Sequence, residues 1–175
     1  MSKLNIRLND NGIEIEGDIG VLDAFLITNT ALTTPIIKNS VNNVNPEIGI
    51  MGQAIKDYLS TITNITKTIE DIASRNKNKI EYSVETIKED VVFKKNDKEE
   101  FNSNDLIDMI AILLVGISKG NVEDLNNIIN DFVTIGSDII KISFLGKEAG
   151  NTGEKNEDKT GDNRSSKSDA SRDNK

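Results

Sequence analysis

The chain has no cysteine, no histidine and no tryptophan, and only two prolines among its 175 residues. Without cysteine there are no disulfides, no thiolate nucleophile and no zinc site built on the usual ligands. Without histidine there is no imidazole base, no Ser–His pair and no imidazole metal ligand. Chemistry by this chain would have to rely on carboxylates, lysine, serine, threonine and tyrosine. The sequence predicts a protein that is not an enzyme and needs no cofactor or metal.

Long hydrophobic runs are missing as well. The most apolar stretch, Leu106 to Ile117, is about 12 residues and contains Asp108, whereas a bilayer-spanning helix needs roughly 20. It reads as a buried core helix. The opening residues Met1-Ser2-Lys3-Leu4-Asn5-Ile6 carry no apolar signal region and soon meet Asp10, Glu14 and Glu16, so a cytoplasmic location is expected.

Charge is distributed unevenly. From Gly146 to Lys175 only Ala149 and Ala170 are hydrophobic, and basic and acidic side chains balance at seven each. The net charge of -8 therefore belongs wholly to residues 1–145, whose apolar content is about 42%, close to the globular norm. Two segments are expected: an acidic globular domain over 1–145 and a disordered polar tail over 146–175, too poor in apolar surface to offset chain entropy.

The expected fold class is α+β and mainly helical, with about four helices and a small antiparallel sheet. Leu4, Ile6 and Leu8 alternate, as do Ile13 and Ile15, with Asn9-Asp10-Asn11-Gly12 between them. This is an N-terminal β-hairpin pattern. One register sets Leu8 against Ile13, Arg7 against Glu14 and Ile6 against Ile15, with an ion pair on the polar face. A first helix is expected from an Asp18 cap to about Thr33, ended by Pro35, its apolar face formed by Val21, Leu22, Phe25, Leu26 and Leu32. Ile36 to Asn45 reads as a loop.

Asn45-Pro46-Glu47 is a helix start, and a second helix is expected from Pro46 to Arg75. Along it Ile48, Met51, Ile55, Tyr58, Ile62, Ile65, Ile69 and Ile72 follow the 3-4 spacing of a heptad seam. Ile80, Tyr82 and Val84 alternate and Val91-Val92-Phe93 is a short β-like run; these form a second hairpin or join the first in one sheet. Ser103-Asn104-Asp105 caps a third helix, apolar almost all round, to about Lys119. A fourth, from Val122 to about Leu145, repeats the 3-4 spacing through Leu125, Ile128, Phe132, Ile135, Ile139 and Ile142.

No motif for chemistry emerges. Asn9-Asp10-Asn11-Gly12 lacks the alternating acids and closing glutamate of a calcium loop. Ser118 and Ser137 sit in no nucleophile elbow, and Gly146-Lys147 lacks the preceding glycine of a phosphate loop. Acidic neighbours such as Glu123-Asp124 point about 100° apart on a helix and suit solvent. The net charge argues against direct nucleic-acid binding, which needs clustered cations.

Two readings of the heptad stripe stand side by side. It packs within one chain, most simply on the fourth helix, or it is a seam for a protein partner or a second copy, with Ile48 to Ile72 as interaction residues. The expected function is thus a non-catalytic cytoplasmic interaction or assembly protein, oligomeric through its long amphipathic helices. The alternative is an acidic inhibitor occupying the basic groove of a nucleic-acid-handling protein, through an acid cluster such as Glu85, Glu89 and Asp90. Abundant Ile, Asn and Lys, all from AT-rich codons, suggest a bacterial, phage or plasmid source, and the inhibitor of the alternative reading would be phage- or plasmid-encoded.

Overall fold

The computed structural model describes residues 1–74, 79–98 and 100–151. In chain order the elements are β1 (Ser2–Asn9), β2 (Gly12–Gly17), α1 (Val21–Asn42), α2 (Gly49–Ser74), β3 (Ile80–Ile87), β4 (Asp90–Lys95), α3 (Ser103–Ile117) and α4 (Val122–Asn151). The four strands form one antiparallel sheet in the order β2-β1-β3-β4. The α+β, mainly helical class and the N-terminal hairpin are as the sequence implies.

Period-2 patterning builds the sheet. Leu4, Ile6, Tyr82 and Val84 are buried on one face, and Phe93 stands opposite Val84 on that face. The hairpin adopts the expected register, with Leu8 opposite Ile13 and Ile6 opposite Ile15. Arg7 does lie opposite Glu14, but its guanidinium bonds elsewhere, to Glu16 Oε2 at 2.9 Å and Glu81 Oε1 at 2.9 Å. β1 is an inner strand, so Glu81 sits directly across on β3 and Glu16 lies on a diagonal that a long side chain reaches.

Helix α3 is the centre of the core. Met109, Ile110, Ala111, Ile112, Leu113 and Leu114 are each at most 2% exposed, because the helix is enclosed by β1 and β2 on one side and by the other helices elsewhere. A helix apolar all round requires such a position. Its start is fixed by a capping box: Asn102 accepts from the backbone of Asn104 and Asp105, and Asp105 accepts from the Asn102 N–H. Gly116 permits the close approach to the hairpin, since a Cβ there would stand 2.6 Å from Ile13 Cγ2.

Helix α1 departs from expectation at both ends. Asp18 does not cap it; the N-cap is Gly20. The Asp18 carboxylate instead accepts the Lys3 N–H at the end of the hairpin, and that bond holds its pKa below the usual carboxylate range. Pro35 lies inside the helix, which continues to Asn42. Proline removes one ladder bond, yet the following turns are held by packing of Ile36 and Ile37 on the core and by burial of Ser40. The segment read as a loop is therefore mostly helix.

Helix α2 starts later than expected. The Asn45 side chain accepts from Glu47 and its carbonyl accepts from Gly49, making a separate turn before the helix proper. Arg75 lies outside the described residues. Helix α4 has a helical backbone to Asn151, past Leu145; residues 152–175, most of the expected tail, lie outside the described residues.

Candidate interaction surface

The striped helix divides into three parts. Tyr58, Ile62 and Ile65 are buried within the chain. Ile55, Ile69 and Ile72 are half-buried against the same core. Ile48 and Met51, at 44% and 41% exposure, are open to solvent. Ile48 precedes the helix, in the turn before Gly49; within α2, at 3.6 residues per turn, a 3.5-residue repeat drifts about 20° per heptad, which carries Met51 off the contact. The same drift appears on α4, where Phe132 and Ile140 are buried and Ile142 is 69% exposed.

Tyr58 holds the three long helices together. Its hydroxyl donates to Asn29 Oδ1 on α1 at 2.8 Å and lies 3.2 Å from the Phe132 carbonyl of α4. Asn29 Nδ2 also donates to that carbonyl, at 3.1 Å. Burial pushes the phenol pKa well up, so Tyr58 stays neutral and structural. The phenol ring fits only because residue 136 is glycine, where a Cβ would stand 2.0 Å from Tyr58 Oη.

Two buried carboxylates, Glu85 and Asp105, are each paired with lysine. Glu85, on the outer sheet face, receives Lys94 at 2.8 Å and Lys3 at 3.2 Å. The hydrogen bond from Lys94, then that from Lys3, holds its pKa below the usual range. Of the acid cluster Glu85, Glu89 and Asp90, only Glu89 and Asp90 are exposed, and Glu85 is buried. Asp105 is buried and bonded to Lys95 at 2.6 Å. Among the described residues, no three acidic side chains group as metal ligands, and no helix is long and apolar enough to cross a membrane.

A further open surface is formed by α1 and β4. Helix α1 has an unusual distribution, with polar Thr28, Asn29 and Thr33 fully buried while Leu22 and Leu26 are 63% and 42% exposed. Thr28 and Thr33 tolerate burial because each hydroxyl donates to a carbonyl four residues back, and Asn29 is satisfied by Tyr58 and Phe132. Leu26 lines a groove of about 490 Å³ between α1 (Leu26, Thr30, Pro35) and β4 (Val91, Phe93). The sequence placed Val21, Leu22, Phe25, Leu26 and Leu32 on one apolar face; of these, Phe25 and Leu32 are buried and the other three are exposed. The legible signals were the spacing by four of Leu22, Leu26, Thr30 and Thr34, and the unbroken Val91-Val92-Phe93 run, which puts apolar side chains on both faces of a strand.

In comparisons with family models, curated proteins and solved structures, none matches the chain.

Proposed function

We propose that the chain is a non-catalytic cytoplasmic interaction protein that assembles with copies of itself. The observation that carries this reading is the apolar groove between α1 and β4, lined by exposed Leu26 and Val91. Contiguous apolar surface of this kind marks association sites more often than isolated exposed leucines do. The residue chemistry supports the non-catalytic part. The buried carboxylates Glu85 and Asp105 are held by lysines, Tyr58 is locked among three helices, and histidine and cysteine are absent.

Light scattering and sedimentation equilibrium on the full chain test the proposal. The expected mass is at least twice the 19.2 kDa of one chain. A strict monomer up to high-micromolar concentration would contradict it.

A further inference from the structure

We infer that β4 pairs antiparallel with β4 of a second copy about a two-fold axis at Val92, joining two four-stranded sheets into one. This rests on the self-association reading above and names the surface that performs it.

β4 is an edge strand, bonded only to β3 within the sheet. Which of its backbone groups face outward follows from its end. Lys95 N–H and C=O both bond Lys98, at 3.0 Å each, away from β3, whereas Asn96 N–H turns back to the Glu81 carbonyl at 2.8 Å. Backbone groups alternate sides along an antiparallel strand. Val91 and Phe93 therefore share the outward direction of Lys95, and among the described residues no backbone group pairs with them. Their side chains line the groove beside α1. An added strand would thus find an open hydrogen-bonding edge and, under it, an apolar floor.

The sequence of β4 fits this site as its own partner. With the axis at Val92, Val91 stands opposite the partner's Phe93 and Phe93 opposite the partner's Val91, so every outward N–H and C=O of these two residues is bonded. The pairing ends at Lys95, whose outward groups are already taken. On the groove side, the partner's Val91 and Phe93 enter against Leu26, Thr30 and Pro35. On the other face, exposed Asp90 meets the partner's Lys94, and the symmetry repeats the pair. The opposite sheet edge shows the contrast. β2 carries Glu14 and Glu16 on one face, and self-pairing there would set glutamate against glutamate.

Two variants of the full chain test the interface. Val91→Pro removes an outward N–H while leaving the bonds of β4 to β3 intact. It is expected to lose the dimer in light scattering at concentrations where the parent is dimeric, with helical circular dichroism retained. Val92→Cys supplies the only thiol in the chain and sets it against its symmetry mate, where non-bonded antiparallel pairs bring Cα atoms to about 4.5 Å, within disulfide reach. With oxidised glutathione it is expected to give a disulfide-linked dimer as the main species on a non-reducing gel, while Thr134→Cys on an exposed face of α4 does not. A parent dimer whose Val92→Cys variant stays unlinked and whose Val91→Pro variant still dimerises would overturn the β4 interface and leave self-association by another surface. A monomeric parent that forms no Val92→Cys link would overturn both.

Discussion

Gly136→Ala is the sharpest probe of how the three long helices meet. On helix propensity alone, alanine in place of glycine inside a helix would stabilise the protein by about 1 kcal/mol. The added Cβ, however, would stand 2.0 Å from Tyr58 Oη, 2.3 Å from Tyr58 Cζ and 2.5 Å from Asn29 Oδ1. The contact is with a fully buried ring, so the helices must separate or the ring must leave. Overpacking of this kind costs roughly 1–3 kcal/mol, and breaking the Tyr58–Asn29 hydrogen bond with both groups buried adds about 1–3 kcal/mol. Set against the propensity gain, the net expectation is a loss of about 3 kcal/mol. At an m-value near 2 kcal/mol/M, that lowers the urea midpoint by about 1.5 M. Unfolding followed by circular dichroism at several urea concentrations reads this directly. In a Tyr58→Ala background the clash with the ring is gone and only the 2.5 Å approach to the Asn29 side-chain oxygen remains, so the cost of Gly136→Ala should fall to a small fraction of its value in the parent. A Gly136→Ala protein as stable as its parent, or a cost that persists unchanged without the Tyr58 ring, would refute this packing.

Three further outcomes are expected. Glu85→Gln should lower the melting temperature at pH 7, because the folded-state pKa of Glu85 lies below its unfolded value. That stabilisation is present above the unfolded carboxyl pKa of about 4.3 and is lost as pH falls through the folded value. The gap between the two proteins should therefore close in acid, and a gap constant from neutral to acid pH would contradict it. Pro35→Ala should restore the missing ladder bond in α1 and raise stability by about 1–3 kcal/mol, measured by urea unfolding; a loss would mean that the proline is required by the helix. Asn102→Ala removes the N-cap of the central helix and should cost about 1 kcal/mol by the same measurement.

Much of the architecture was legible because it depends on local patterns. The hairpin register followed from alternation in Leu4–Leu8 and Ile13–Ile15 around an Asn-Gly turn. The central place of α3 followed from its apolar run, and its start from Ser103-Asn104-Asp105, although the N-cap is Asn102, one residue earlier. The errors came where tertiary packing outweighed a local rule. Pro35 was expected to end α1, but Ile36, Ile37 and Ser40 pack well enough to carry the helix on. The 3-4 spacing of α2 and α4 set packing within one chain beside a seam for a partner, and the fold buries Tyr58, Ile62, Ile65 and Phe132 while Ile48, Met51 and Ile142 reach solvent. Each half of the groove left a signal in the sequence, the Leu22–Thr34 spacing and the Val91-Val92-Phe93 run, but nothing local joins the two. The groove joins α1 to β4, segments far apart in sequence, and depends on α1 burying Thr28, Asn29 and Thr33 while leaving Leu22 and Leu26 outside.

Amide hydrogen exchange resolved by residue, measured at high and low protein concentration, tests the β4 interface most directly. The Val92 and Lys94 amides face β3 and should exchange slowly at both concentrations. The Val91 and Phe93 amides should be protected at high concentration and lose that protection on dilution. Fast exchange of Val91 and Phe93 at every concentration, with the protein still folded, would contradict the account.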